Sequence, residues 1–263
     1  MKIGFIGDVV GSPGRDELKK NVKFYKEKFG LDFIVANCEN ASGGFGLSAK
    51  NSGEILESGI DAITGGNHSF DKKDIIPLMD ELPIIRPYNL YEAPGRGVLN
   101  LKKDDKNLSI INMQGIIGLN IAKNAFYEID EAIKKCESEN ILVDFHAEMT
   151  SEKMAFFWAN KGKVSAILGT HTHVGTDDLH INDGTIFTCD VGLTGAREGV
   201  IGMDAEASIN GFITGRKQAF NVNKTYKTIF QMVVCEILEG KAVSGFKIRL
   251  IDDKEYISEA YND

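Results

Sequence analysis

The sequence predicts an α/β fold in which two mixed sheets pack together with helices outside, a four-layer α/β/β/α sandwich. Strands and helices alternate in the N-terminal third, which is typical of a parallel sheet. Hairpin patterns in the middle and antiparallel strands in the C-terminal third make both sheets mixed. No composition shift or Pro/Gly/Ser-rich linker divides the chain, so we expect residues 1–263 to form a single domain.

The N-terminal third follows a β–α–β–α–β order. Residues 3–10 form a nearly continuous apolar run, the pattern of a strand buried on both faces. A helix follows, with Ser12 predicted as its N-cap, Pro13 at its first position and Gly30 at its end. The next predicted elements are a strand at 32–37, a helix at 48–57 and a strand at 61–64.

The middle and the C-terminal third add hairpins to this plan. Short apolar segments at 98–101 and 108–113 flank a charged turn, and Asp183-Gly184 between apolar runs is a strong hairpin signal. Thr150 is predicted to cap a helix that runs to Asn160. The other elements predicted here are a helix at 126–136, strands at 141–145 and 164–168, and antiparallel strands at 228–236 and 243–251.

Composition and charge exclude several classes of protein. A net charge of -8 lacks the basic surface that grips long nucleic acid, so we expect no extended nucleic-acid footprint. No apolar run is long enough to span a membrane, and the N-terminus reads as a strand rather than a signal peptide. The four scattered cysteines form no C-x-x-C pair, which argues against a thiolate metal site and fits a reducing compartment. We therefore expect a cytoplasmic protein.

Polar side chains gather at the carboxyl ends of the predicted strands, where ligands bind in α/β sheets. The set is Asp8, Glu39, Asn40, Asn67, His68, His146, His171 and His173. Each alone has an ordinary explanation, such as a turn carboxylate for Asp8 or a hydrogen-bonded core residue for His146. His171 and His173 are harder to dismiss, because alternate residues of an extended segment point the same way.

Taken together, these residues supply more ligands than one tetrahedral ion uses. They suit two ions that share a bridging carboxylate, with Glu39 as the natural bridge. Nitrogen and oxygen ligands without thiolate favour iron, manganese or zinc, and we expect two divalent or mixed-valence ions, iron first. Such a pair stabilises both the attacking and the leaving oxygen of an in-line displacement. The composition of the site therefore predicts phosphoester hydrolysis.

Five short motifs resemble, in order, those of the calcineurin-like metallophosphoesterases. They are Gly7-Asp8-Val-Val, Asn37-Cys-Glu-Asn40, Gly65-Gly-Asn-His68, Asp144-Phe-His-Ala-Glu148 and Gly169-Thr-His-Thr-His173. The combination is most similar to the bacterial YmdB-like branch, which carries Glu-Asn where most of the superfamily has an Asp in the second motif. Thr150-Ser-Glu-Lys153 and Asp190-Val-Gly-Leu-Thr-Gly195 also resemble that branch. The resemblance extends over essentially the full chain.

The resemblance implies a ligand set and a reaction. One metal would be held by Asp8, Glu39, Asn40 and His173, and the other by Glu39, Asn67, His146 and His171. His68 would protonate the leaving oxygen while a metal-bridging hydroxide attacks a phosphodiester, above all a 2′,3′-cyclic nucleotide. Cys38 stands where glycine is usual, and in a strand its side chain would face away from that of Glu39.

Two alternatives remain open beside this phosphodiesterase. A phosphomonoesterase acting on nucleotides or phosphoproteins would use the same metals. A regulator that senses a nucleotide or RNA end with little turnover would use the centre for binding, although such a binder has no need of His68. For the phosphodiesterase we expect a small nucleotide or an RNA-end phosphodiester as the substrate, no membrane partner and a homo-oligomer.

Three further features have ordinary interpretations. Residues 43–46 are not a P-loop, because no Gly-Lys-Ser/Thr follows, and they indicate flexible access near the metals. His180 precedes a hairpin turn and is predicted to lie on the surface. Arg197 is either a contact to the substrate phosphate or a solvated loop residue.

Overall fold

A computed structural model describes residues 1–262 and contains two seven-stranded sheets. The first sheet comprises β1 (Lys2–Ile6), β2 (Phe33–Asn37), β3 (Ala62–Thr64), β10 (Gly195–Ala196), β11 (Thr228–Leu238), β12 (Lys241–Ile251) and β13 (Lys254–Glu259). The second comprises β4 (Val98–Lys103), β5 (Lys106–Gln114), β6 (Ile141–His146), β7 (Ala166–Thr170), β8 (His180–Asn182), β9 (Thr185–Thr188) and β14 (Tyr261–Asn262). The helices are α1 (Gly11–Phe29), α2 (Ala49–Glu57), α3 (Ala125–Ile133), α4 (Thr150–Asn160) and α5 (Ala205–Thr214), with a short 3₁₀ helix at Lys73–Leu78.

Both sheets are mixed, as predicted. In the first sheet, β1, β2 and β3 run parallel, and β11 joins β1 to an antiparallel extension through β12 and β13. In the second, β5, β6, β7 and β9 are parallel, β4 pairs antiparallel with β5, and β8 pairs antiparallel with β9 and parallel with β14. The parallel parts of both sheets therefore supply strand ends for a shared site.

Three hydrophobic clusters separate four layers, because strand residues alternate between faces. Ile3, Phe5, Phe33 and Val35 of the first sheet pack against Leu108, Ile110 and Leu142 of the second. The opposite face of the first sheet, with Ile34, packs against Leu18 and Val22 of α1. The opposite face of the second sheet, with Val143 and Phe145, packs against Ile129 of α3 and Phe156 of α4. This order is the predicted α/β/β/α sandwich.

Most local predictions are confirmed, including both hairpins and the left-handed Gly30 that ends α1. The two predicted N-caps are wrong. Val10 occupies the N-cap of α1, because Gly11 has a φ of 60° and turns the chain directly into the helix, leaving Ser12 in the first turn. Met149 occupies the N-cap of α4, since its carbonyl already accepts the amide of Lys153.

The prediction that His180 lies on the surface is also wrong. Its side chain packs edge-on against Phe157 and stacks on Tyr261, and the residue is only 4% exposed. The C-terminal strand β14, which pairs with β8, covers the imidazole, and this pairing joins segments far apart in the sequence.

None of the helices within residues 1–262 is both long and apolar enough to cross a membrane.

Candidate metal centre

The eight predicted site residues lie together where the parallel strands of both sheets end. The first sheet places Asp8 after β1, Glu39 and Asn40 after β2, and Asn67 and His68 after β3. The second sheet places His146 at the end of β6 and His171 and His173 after β7. The strand-end rule therefore brings residues from five strands of two sheets to one place.

Four of these residues converge around Nε2 of His146. This atom lies 3.1 Å from Oε1 of Glu39, 3.0 Å from Oδ1 of Asn67 and 3.2 Å from Nδ1 of His171. One ligand atom each from Glu39, His146 and His171 lies within 4.8 Å of the other two. Nitrogen and oxygen ligand atoms at such spacing suit a divalent cation.

The other three metal-site residues lie beside this group. Nε2 of His173 accepts a hydrogen bond from Nδ2 of Asn40 at 3.2 Å and lies 3.7 Å from Oδ1 of Asp8. Nδ2 of Asn40 is also 3.2 Å from Oε1 of Glu39. Glu39 thus contacts both groups through one carboxylate oxygen, and its role as the bridge stays a prediction.

Asp8 provides a direct test of whether these residues fit a metal. Its Oδ2 accepts the amide of His171, whereas Oδ1 is buried and has no hydrogen-bond partner within residues 1–262. Burial raises the pKa of Asp8. An unpaired carboxylate oxygen is costly inside a protein, and a cation beside His173 would satisfy it. The donor set and the unpaired oxygen both fit a metal.

Hydrogen bonds fix the orientation of two imidazoles. Nδ1 of His173 donates to the carbonyl of Ile201 at 2.9 Å, and Nδ1 of His146 contacts the hydroxyl of Thr170 at 2.9 Å. Because that hydroxyl donates to Asp144, it accepts from His146. Each ring therefore turns Nε2 toward the site, as in ligating histidines held by an outer partner.

The electrostatics of the site favour positive charge where Glu39, His146 and His171 meet. Burial alone would raise the pKa of Glu39, but the His146 imidazole outweighs it and holds this pKa at about 2. Burial likewise opposes charge on His146, yet Glu39 raises its pKa to about 9. The pKa of His171 falls to about 3, because the ring is buried and His146 repels a second positive charge.

Gly66 leaves the space in which the ligand atoms meet. A Cβ at this position would clash with Oε2 of Glu39 and with Nε2 of His146. The backbone between β3 and Asn67 can therefore pass under the ligand atoms only without a side chain.

The geometric reason given for the pair of histidines is wrong, although both lie at the site. Strand β7 ends at Thr170, and His171 and His173 have φ angles of 99° and 64°. The segment is a loop in the left-handed region rather than an extended strand, so the two rings diverge toward different groups. His171 contacts His146, and His173 contacts Asn40.

Sequence reasoning missed a buried layer beneath the ligands. Asp144 accepts hydrogen bonds from Thr170 at 2.6 Å, Thr64 at 2.5 Å and Asn37 at 2.9 Å, and burial raises its pKa to about 6. Asp144 lies two residues before His146 in β6 and so shares its face. Strand alternation counted back from His146 is the signal that could have identified it.

His68 lies at the edge of the site with one ring nitrogen engaged. Its amide donates to Oε2 of Glu39 at 2.8 Å, and its Nδ1 lies 2.8 Å from Oδ2 of Asp71. The ring packs edge-on against Phe45 at 5.1 Å between centroids. Sequence reasoning also missed Asp71, although a carboxylate three residues after a histidine is within reach in a turn.

A cavity of about 280 Å³ opens over the centre. It is lined by Glu39, Asn40, His68, His171 and His173 on one side. Gly44 and Phe45 of the glycine-rich segment also line it, which places that segment close to the centre. Arg197 pairs with Asp252 at 2.6 Å, a surface ion pair that favours its interpretation as a solvated loop residue.

The cysteines near the site are buried away from it. Cys38 packs in the hydrophobic cluster between the first sheet and its helices, and Cys189 packs in the cluster of the second sheet. Burial raises the pKa of both thiols, that of Cys189 to about 12. Within residues 1–262, no cysteine belongs to the group that can hold a metal ion.

The fold and the site together define a metallophosphoesterase. Two mixed sheets carry carboxylates, amides and imidazoles on the ends of their parallel strands, and a phosphatase is among the solved structures that resemble this fold. The sequence profile of the YmdB-like protein family matches residues 5–248. The chain belongs to the YmdB-like family.

Individual relatives agree with this assignment. A Bacillus subtilis (strain 168) protein named 2′,3′-cyclic-nucleotide 2′-phosphodiesterase is 44% identical over 260 residues, covering 96% of this chain and 98% of that protein. The crystal structure of a phosphatase from Mycoplasma pneumoniae has a TM-score of 0.90 at 35% identity, covering 95% of this chain and 93% of the other. The crystal structure of a hypothetical protein from Thermus thermophilus has a TM-score of 0.89 at 32% identity, covering 99% and 100%. The predicted fold and family are confirmed.

Proposed function

We propose that this metal-dependent phosphodiesterase hydrolyses small nucleotide phosphodiesters, above all 2′,3′-cyclic nucleotides or RNA ends with the same group. The observation that carries the proposal is the convergence of Glu39, Asn67 and His171 on His146 within a cavity that also holds His68. The name of the Bacillus subtilis relative supports the same substrate class. We take residues 1–263 to act as a single domain.

The ligand roles follow the two groups of contacts. We assign Asp8, Glu39, Asn40 and His173 to one ion and Glu39, Asn67, His146 and His171 to the other. Iron is the first expectation, with manganese and zinc as alternatives, because all proposed ligand atoms are nitrogen or oxygen. When bound, two such ions supply positive charge to the phosphoryl oxygens and make water acidic near neutral pH.

The contribution of His68 is proton transfer. Asp71 accepts a hydrogen bond from Nδ1 and orients the ring, so that Nε2 can donate a proton to the departing ribose oxygen. Phe45 packs against the imidazole and restricts its rotation. In the reaction a bond forms between phosphorus and a water oxygen, and the bond from phosphorus to the ribose oxygen breaks. The ribose oxygen takes a proton from His68, the water gives up one proton to solvent, and His68 regains its proton from solvent.

Substitution of His68 tests this role. We expect His68→Ala to lower kcat on 2′,3′-cyclic AMP about 10²- to 10⁴-fold. Metal content, measured by mass spectrometry on the same preparation, should match the wild type, because the contact of His68 with Glu39 is through its backbone amide. Asp80→Asn, an exposed carboxylate on the neighbouring turn, is the matched control. Full activity in His68→Ala with both metals present would assign the proton to another donor.

The two alternatives give different results on the metal-loaded wild type. A phosphomonoesterase would hydrolyse 3′-AMP faster than the cyclic nucleotide. A sensing regulator would bind the cyclic nucleotide tightly and form no product. Rapid turnover of the cyclic nucleotide with slow turnover of the monoester is the result that supports our proposal.

The last two parts of the proposal concern the cellular compartment and the oligomeric state. We propose a cytoplasmic protein, since none of its cysteines within residues 1–262 is in a disulfide. We also propose a homo-oligomer, because Ile121 and Tyr127, six residues apart in the chain, both expose large apolar side chains. Light scattering of the purified protein measures its mass directly, and a monomer at every concentration would contradict this part.

A further inference from the structure

The cavity over the candidate metal centre has two chemically different sides. Its inner side carries the carboxylate, amide and imidazole groups already described. Its outer side is largely apolar and consists of Phe45, Val200, Ile201, Met203, Phe212 and Phe220 together with the polar Ser208. The inner side alone suffices for a phosphate, which leaves the apolar side free to contact another part of the ligand.

Most of this apolar wall comes from one segment, residues 200–220. It begins with a tight turn in which Val200 and Met203 exchange backbone hydrogen bonds, and it continues into helix α5. The only buried residue of α5 is Ser208. Phe212 is 91% exposed and Ile213 76% exposed, although the helix borders the cavity. Leaving such side chains in water forgoes the stabilisation that burial provides.

We infer that this wall binds the nucleobase of the substrate, with Phe212 and Phe220 as residues that determine specificity. The inference rests on the proposed function, because it takes the phosphodiester to lie over the metal centre. An aromatic base has two apolar faces and stacks on phenylalanine rings, whereas a charged phosphate loses favourable hydration against an apolar surface. The two sides of the cavity therefore set the orientation of a nucleotide.

The same wall defines which nucleotides fit. Phe212 and Phe220 offer no hydrogen-bond donor or acceptor to a base edge, so the site accepts all four bases and favours the larger stacking surface of purines. A cavity of about 280 Å³ holds a ligand the size of a mononucleotide rather than a folded RNA. The substrate class is a nucleoside cyclic phosphate or the terminal nucleotide of a strand.

A pair of substrates isolates the contribution of the base. We compare 2′,3′-cyclic AMP with methyl β-ribofuranoside 2,3-cyclic phosphate, which has the same cyclic ester and no base. Phe212→Ala and Phe220→Ala should each lower kcat/KM for the nucleotide about 5-fold or more, mainly through KM. The base-free ester should be cleaved as in the wild type. Phe212→Trp should restore the nucleotide reaction, because it keeps an aromatic face, whereas Phe212→Leu should not.

The control variant is Tyr226→Ala, since this tyrosine is 90% exposed and does not line the cavity. Direct calorimetric binding of adenosine, which has the base and no phosphate, gives a second measurement that needs no turnover. Its Kd should rise about 5-fold or more in Phe212→Ala and stay unchanged in Tyr226→Ala.

The outcomes separate this inference from the proposed function. Equal losses on the nucleotide and the base-free ester would make the wall a structural support and overturn the inference. Unchanged adenosine binding in both phenylalanine variants would also overturn the inference. This holds even if the substitutions change the oligomeric mass of the protein. If the wild type cleaves neither ester but Phe212→Ala weakens adenosine binding, the inference stands and the proposed reaction fails.

Discussion

Nζ of Lys153 lies 2.9 Å from Oδ2 of Asp190, and both side chains are 2% exposed. The ammonium group also donates to the carbonyl of Thr170 at 2.8 Å. The same carboxylate oxygen of Asp190 accepts the amide of Thr172 at 3.0 Å and its hydroxyl at 2.8 Å. The buried ion pair therefore holds the residues on both sides of His171, which explains how a loop with left-handed backbone angles stays in place.

The first prediction concerns this ion pair. Lys153→Met leaves Asp190 buried without its counter-charge, and we expect a loss of about 3–5 kcal/mol in the free energy of unfolding. Since the His171 loop loses an outer support, metal affinity should fall about 10- to 100-fold. Urea denaturation and metal titration measure the two effects.

A surface pair on the same side of the fold provides the control. Lys163 and Asp130 are 2.9 Å apart with both side chains well exposed, so Lys163→Met should change stability by about 0–1 kcal/mol and leave metal affinity unchanged. If the two lysine variants behaved alike, Lys153 would have no special role in positioning the loop.

The second prediction concerns Gly66. In Gly66→Ala the new methyl group would displace Glu39 or His146, because no space exists beside their ligand atoms. We expect the variant to fold and to lose metal from this centre. Gly53→Ala is the matched control. Gly53 lies within α2, and a Cβ at this position has no heavy atom within contact distance. This variant should raise stability by about 0.5–1 kcal/mol and keep its metals. Wild-type metal content in Gly66→Ala would contradict the geometry of the site.

The third prediction is a pH dependence that originates at Lys247. Burial lowers the pKa of this side chain from 10.5 to about 8, with help from Arg249, while Asp190, Asp178 and Asp177 oppose the change. The folded state therefore releases this proton near pH 8, and the unfolded state releases it only above pH 10. Between these values the unfolded state binds more protons, so stability from this group rises with pH.

The measurement is the difference in unfolding free energy between the wild type and Lys247→Met at pH 8 and at pH 10.5. Relative to the variant, the wild type should gain about 3 kcal/mol over this interval. Lys102→Met, which removes an exposed lysine from β4, should show no such change against the wild type. A difference that stays constant or falls with pH would show that Lys247 keeps its charge in the folded protein.

The positions of the ligands could be predicted from the sequence because one rule governs them all. Parallel strands end at one edge of a sheet, so Asp8, Glu39, Asn67 and His146 could be placed together without coordinates. The conformation of the segment that contains His173 could not be predicted from the sequence. Its left-handed backbone angles depend on long-range contacts such as the hydrogen bond to Ile201. Local sequence does not encode such contacts.

The supporting residues were hidden for a related reason. Lys153 and Asp190 each lie in a segment that resembles the family, but they are 37 residues apart, and nothing in the sequence indicates that they pair. The predicted N-cap of α1 was wrong because Gly11 turns the chain into the helix one residue early, which propensity alone does not reveal. His180 looked exposed because its covering strand lies at the other end of the chain. For Lys153 and His180, tertiary contacts override the local signal.

The last prediction concerns metal removal and Asp8. In the wild type, chelation should lower the thermal unfolding midpoint, because Oδ1 of Asp8 is then left buried without a partner. Asp8→Asn removes that buried charge while its side-chain oxygen can still accept the amide of His171. The variant should therefore be more stable than the wild type after chelation, yet gain less stability from added metal. Calorimetry of both proteins with and without metal tests whether their order of stability reverses. A variant that is less stable in both conditions would show that Asp8 stabilises the fold rather than binding the metal.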